Sequence, residues 1–194
     1  MRGPALVLLI ALCACERKPS AAPAQTQAAW EKVGVRVVDG VPQLGEVEIE
    51  LKRGACEGWC AAYKVKLSGN GTLTYTGKWY VKTKGEHTTA FDPEKLLPLL
   101  QRLAELDFLS KHHECSVRVS DNSQAGVTLR LGTRSTSAWD QIADSEDLGQ
   151  NSDAADALWH RRMYELENAI DSAANIEAWI GTQAEREAHR EEWR

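Results

Sequence analysis

The sequence lacks any apolar run long enough to cross a bilayer. Its most apolar stretch, Ala5–Leu12 (ALVLLIAL), falls well short of the about 20 residues that a transmembrane helix needs. Proline and glycine are sparse, at 6 and 14 of 194 residues, which excludes collagen-like and proline-rich architectures. Positive charge is not in excess: 23 Lys and Arg stand against 28 Asp and Glu, a formal net charge of -5. A wholesale nucleic-acid binder needs a basic surface to displace the counterions of phosphate, so no nucleic-acid partner is expected. The common catalytic signatures are missing as well, with no G-x-S-x-G, no H-E-x-x-H and no phosphate loop. No cofactor is expected.

What is present is an ordinary globular composition, 43% apolar and 26% charged, behind a distinctive start. Met1-Arg2 and the short apolar run read as an export signal. The run ends in Leu12-Cys13-Ala14-Cys15, which resembles the bacterial lipoprotein box, with Cys15 in the lipidated position; an ordinary secretory signal is the alternative. The resemblance implies a signal peptide over 1–14 and a diacylglyceryl thioether on Cys15 with an acylated amino group. Several acyl chains make a membrane attachment stable where one chain binds only marginally. The membrane is then a partner through Cys15. Glu16, rather than Asp, favours the outer membrane facing the periplasm in a Gram-negative envelope. Residues 15–29 comprise the lipidated cysteine and a tether rich in Ala, Pro, Gln and Ser.

Strand signals follow. Val33, Val35 and Val37 alternate up to the turn dipeptide Asp39-Gly40, and Pro42 restricts this region to an edge. Val47, Ile49 and Leu51 alternate with Glu and Lys, as do Tyr63, Val65 and Leu67. Ser68–Gly71 is a hairpin turn, Leu73 and Tyr75 return, and Thr76-Gly77-Lys78 is expected to turn again before a strand at 79–83. Asp92-Pro93-Glu94 starts a helix carrying Leu96, Leu97, Leu100, Leu103 and Leu106 on one face. Strands are expected at 115–119, 126–132 and 135–139, and an acidic loop at 140–153. A long helix then carries Trp159, Met163, Leu166 and Ile170, and Ile176, Trp179 and Ile180 form a docking turn. The fold class is α+β: an antiparallel meander with two main helices on one face, in a single domain over 30–182. Residues 183–194 are expected to be a charged tail, a frayed and solvated helix.

The segment Arg53-Gly54-Ala55-Cys56-Glu57-Gly58-Trp59-Cys60-Ala61-Ala62-Tyr63 resembles the hallmark of a bacterial domain-of-unknown-function family, R-G-x-C-x-G-x-C-x-x-Y. The hairpin Gly69–Gly77, the helix start at Asp92, Asp107-Phe108 and Trp179-Ile180-Gly181 extend the resemblance over about residues 45–182. Ala61 stands where members usually carry proline. The family implies an exported or lipoprotein module without an established activity and brings no catalytic residues.

Three cysteines remain after export and lipidation. Cys56 and Cys60 can bridge if Gly58 lets the chain turn; a bridge using Cys115, or none, are the alternatives. The C-x3-C spacing is not that of a C-x-x-C redox motif. His112, His113 and Cys115 could join Cys56 and Cys60 as a metal or thiol site, although a polar connection explains them more simply. The acidic stretch from Asp140 to Asp153 lacks EF-hand spacing. Seven tryptophans mainly serve the core, but exposed members, with Trp59, Trp79 and Tyr80 as the candidates, could meet a protein or glycan of the envelope. Lys78, Lys82 and Lys84 form a small basic patch. The expectation is a non-enzymatic envelope interaction module; the alternative is a metal-dependent or thiol enzyme using Cys56, Cys60 and the 112–115 cluster.

Overall fold

The computed structural model describes residues 25–56, 58–110, 124–141 and 154–194. The export signal with Cys13 and Cys15, the expected strand at 115–119, the His112–Cys115 cluster and the acidic residues beyond Gln141 lie outside the described residues.

Six strands form one antiparallel sheet: β3 (Val47–Arg53), β4 (Ala62–Ser68), β5 (Thr72–Trp79), β6 (Gly85–Ala90), β7 (Gln124–Leu131) and β8 (Arg134–Gln141), in the spatial order 6-5-4-3-7-8. Strict alternation explains the sheet. In β3, Val47, Ile49 and Leu51 are buried while Glu48, Glu50 and Lys52 face outward, and the register Ile49↔Leu67 and Ile49↔Leu129 puts three apolar strands in phase. A one-residue slip would expose the whole set. The architecture is the expected α+β, with the apolar face of the sheet covered by helices.

Two helices dominate that cover. α2 (Leu96–Glu105) is preceded by a 3-10 turn, Pro93–Lys95, whose Asp92 side chain accepts from the Glu94 backbone amide at 3.0 Å. Pro98 is tolerated because it falls in the first turn, where amides have no intrahelical partner. Leu96, Leu99, Leu100 and Leu103 are buried; Leu97, expected on the buried face, is only partly so. α3 (Ala154–Ala173) buries Trp159, Met163, Leu166 and Ile170 at the expected spacing. A short α4 (Glu177–Ile180) follows, with Trp179 stacked on Tyr75 at 5.0 Å.

Four expectations are corrected. α1 (Gln25–Lys32) begins inside the stretch read as tether and anchors it by burying Trp30. Val33 and Val35 are buried without belonging to a strand, because they follow α1 as hydrogen-bonded turns; only β1 (Val37–Val38) and β2 (Val41–Pro42) pair. Thr76-Gly77-Lys78 is not a turn: β5 runs through it, and the chain reverses at 80–84 into β6. Gly77 is required there because a Cβ would collide with the Thr83 carbonyl and the Tyr75 hydroxyl. β6, GEHTTA, is exposed throughout and has no apolar alternation to betray it.

The fourth correction is the tail. α5 (Gln183–Ala188) opens with a capping box between Thr182 and Glu185. Glu185 also pairs with Lys82 at 3.0 Å, and its carboxyl is held down to about 2, mainly by the Thr182 backbone amide. The Tyr80 amide donates to the Trp193 carbonyl at 2.7 Å, and Lys84 Nζ donates to the Arg194 carbonyl at 2.6 Å. Like-charge spacing predicted fraying, but partners on the β5–β6 reversal hold the tail.

Candidate functional site

The segment Arg53–Tyr63 leaves β3, loops and enters β4. Its loop is closed by Cys56–Cys60, with an S–S distance of 2.04 Å and Cα atoms 5.6 Å apart. Gly58, at φ 149°, provides the turn that an extended chain could not make. The two ends of the segment meet beneath α3. Arg53 Nε and Nη2 donate to Asp171 Oδ2 at 3.0 and 2.8 Å, and Nη1 donates to Glu167 Oε2 at 3.1 Å. Arg53 Nε also reaches Tyr63 Oη at 3.1 Å, and the Tyr63 hydroxyl donates to Asp171 Oδ1 at 2.7 Å.

This cluster is one row of the sheet. Cross-strand register aligns Tyr63, Arg53, Ala125 and Asp140 on β4, β3, β7 and β8. α3 crosses that row with Asp171 over Tyr63 and Arg53, Glu167 over Arg53, and His160 Nδ1 2.7 Å from Asp140 Oδ1. One guanidinium cannot neutralise two carboxylates in a dry seam. Burial pushes the Glu167 carboxyl up to about 8, against the pull of Arg53 and with the help of Asp140 and Asp171. Burial also raises Asp171, again opposed by Arg53. Burial works against the Arg53 charge, yet Asp171, Tyr63 and Glu167 together hold its proton more firmly than usual. Burial and then Asp171 raise the Tyr63 hydroxyl. Asp171 spends one oxygen on Arg53 and the other on Tyr63, and Arg53 divides its donors between Asp171 and Glu167, so the cluster fastens α3 across the strands.

The opposite face of the sheet carries no helix from among the described residues. Its inner rows are Thr72, Ser68, Glu48, Arg130 and Ser135, then Thr74, Lys66, Glu50, Thr128 and Ser137. Glu48 there pairs with Lys66 at 3.5 Å and with Arg130 at 3.9 Å. The row nearest the disulfide loop differs: Thr76, Lys64, Lys52, Gly126 and Trp139. Lys52 and Lys64 have no carboxylate partner among the described residues. Trp139 lies flat on Gly126, where a Cβ would come within 2.8 Å of the ring, and Lys52 Nζ stands 5.2 Å from the ring centroid. A bulge at Ala62/Tyr63 places Trp79 opposite Ala62 at the same end. Trp59 lies in the bridged loop between β3 and β4, at that end of the sheet, with the Arg190 guanidinium 3.8 Å over its ring. The three rings are 50% (Trp59), 53% (Trp79) and 44% (Trp139) exposed.

A family model described as "Domain of unknown function (DUF6438)" matches residues 47–158, more than half of the chain. The chain belongs to the DUF6438 family. Among curated proteins none is similar enough to count as a match. The DUF6438 match contains β3 through β8 and ends in the first turns of α3. Glu167 and Asp171, the partners of Arg53, therefore lie beyond it, as do Trp179-Ile180-Gly181.

The expected sites fall out as follows. Cys56 and Cys60 are bonded to each other, which removes both thiolates from the alternative metal or thiol site. His112, His113 and Cys115 lie outside the described residues, as does Cys15. Among the described residues no three His, Cys, Asp or Glu come together to hold a metal ion. Trp59 and Trp79 are exposed as a binding role requires. Tyr80 is used differently: it holds φ 55° and offers its amide to the tail. Lys82 and Lys84 are likewise spent on the tail. Trp139, not among the sequence candidates, sits on the open face. Its phase was the missed signal: Ala138 next to it takes the buried position, so Trp139 must point the other way.

Proposed function

We propose that the chain is a lipid-anchored module of the bacterial envelope, held on Cys15 at the outer membrane and facing the periplasm. It acts by contact rather than catalysis, offering the tryptophan end of its open sheet face to another envelope component. The observation that carries this reading is the grouping of Trp59, Trp79 and Trp139, all exposed, at one end of a rigid sheet. Large rings left in water at one place mark an interaction surface, where scattered ones do not. The network of Arg53, Glu167 and Asp171 keeps the strands beneath that end fixed, and the Cys56–Cys60 bridge does the same for the Trp59 loop.

Two measurements on cells test the reading. Metabolic labelling with an alkyne fatty acid should mark the wild-type chain and not Cys15→Ala, and the variant should leave the membrane fraction. A photo-reactive amino acid at position 139 should cross-link in intact cells, while the same residue at position 135 should not. Unlabelled wild-type protein, or equal cross-linking at both positions, would overturn the proposal.

A further inference from the structure

Resting on that reading, we infer that the row Trp139–Gly126–Lys52–Lys64–Thr76 binds an acidic glycan, with a sugar ring against the Trp139 indole and sugar carboxylates or sulfates on the lysines. Three observations point to this chemistry. The first is charge. At the far end of the open face Glu48 answers both Lys66 and Arg130, whereas Lys52 and Lys64 have no carboxylate partner among the described residues. The tryptophan end is therefore the cationic end, and its complement is anionic.

The second is shape. Gly126 lets the Trp139 ring lie flat on the backbone, half-exposed, with Lys52 Nζ beside it. A flat, pre-positioned ring face suits the C–H face of a sugar, and its geometry costs little to fix on binding. Five strands at about 4.8 Å spacing make the row about 19 Å long, the reach of a short oligosaccharide.

The third is charge density. Glu86 stands beside Thr76 in the same row, and Glu50 lies in the next. These carboxylates interrupt the cationic row, so the face offers two separate lysines and not the continuous basic track that follows a phosphate backbone. Aromatic rings with lysines also describe a single-stranded nucleic-acid platform, so an oligonucleotide belongs in the test.

The experiment is fluorescence anisotropy with the full chain purified in detergent. Four labelled probes are used: an oligogalacturonate, a heparin-derived hexasaccharide, maltohexaose and a thymidine oligonucleotide. At least one acidic glycan should bind, with quenching of tryptophan fluorescence, and maltohexaose should bind at least about tenfold more weakly. Trp139→Ala should weaken the acidic glycan about tenfold, the scale of one lost ring contact. Lys52→Gln with Lys64→Gln should weaken it similarly and flatten its salt dependence. Gly126→Ala, which keeps the indole but unseats it, should weaken binding, and Ser135→Ala at the far end should leave it unchanged. Failure of both acidic glycans, equal binding of maltohexaose, or tighter binding of the oligonucleotide would overturn the glycan assignment. If position 139 still cross-links a protein in cells, the interaction reading survives that failure; if it cross-links nothing, both fall.

Discussion

The two faces of the same sheet use charge in opposite ways. On the covered face, Arg53 sits between Glu167 and Asp171, and the ions are consumed in fastening α3 to β3 and β4. On the open face, the adjacent Lys52 stands over a half-exposed tryptophan with no carboxylate partner among the described residues. Alternation along one strand thus separates a buried, paired cation that holds the fold from an exposed one beside an aromatic ring.

The sharpest way to break this contrast is Arg53→Ala. Removing one partner of a buried pair leaves Glu167 and Asp171 uncompensated, and chemical denaturation should show a loss of about 3–5 kcal/mol. Lys52→Gln, one residue away, should be close to neutral in the same assay. A similar loss for both would erase the distinction between the faces.

Acidity probes the covered face alone. The ordinary carboxyl value for Glu167 is 4.5, and in the folded protein it is raised to about 8. The folded state therefore binds the proton more tightly than the unfolded chain. The corresponding stability is fully present below about pH 4.5 and is lost as pH rises through about 8. Asp171 is shifted in the same direction. Glu185, lowered to about 2, acts only when pH falls toward that value and so does not disturb the window. The denaturation midpoint should fall from pH 5 to pH 8, and Glu167→Gln should flatten that slope. An unchanged slope would mean that the seam is not the titrating element.

The disulfide should matter less. Its closed loop is short, with a sequence separation of 4, and a loop of that size confines the unfolded chain by about 2 kcal/mol. Cys56→Ser with Cys60→Ser should cost about that much in denaturation, and should loosen Trp59 without disturbing Trp139, as read by fluorescence quenching of single-tryptophan variants. The smallest effect is expected at the tail. Arg190 lies 3.8 Å over the Trp59 ring, and its replacement by Ala should cost about 0.5–1 kcal/mol. It should also raise the accessibility of Trp59 to acrylamide.

The covered face was the more legible of the two in sequence. Val47, Ile49, Leu51, Tyr63, Val65 and Leu67 announce their strands because burial demands apolar residues at every second position. Trp159, Met163, Leu166 and Ile170 do the same for α3. What alternation cannot announce is a strand with no buried side, which is why GEHTTA was passed over and the reversal set too early. Nor can periodicity pair ions across more than a hundred residues: Arg53 and Asp171 are 118 apart and meet only because α3 crosses the strands. Trp59 and Trp79 could be singled out as candidates, but that Trp139 lies at the same end of the sheet as Trp79 follows only from register. The tail defeated reading from charge alone, since Glu185 pairs with Lys82 and the Trp193 and Arg194 carbonyls take donors from the 80–84 reversal.

The strand order 6-5-4-3-7-8 carries a consequence for how this chain can vary. Every neighbouring pair of strands is joined by a direct reversal except β3 and β7. The sheet is thus two locally wound blocks, β3–β6 and β7–β8, welded along one long-range seam after the intervening helix has been laid down. Such welds govern the speed of assembly, because the distant edges must find each other before their bonds form. They are far more forgiving of length, since doubling the chain between the blocks adds only about 0.6 kcal/mol of closure entropy. The crossing between α2 and β7 is therefore the place where relatives can insert or delete residues cheaply, while both faces of the sheet stay as they are.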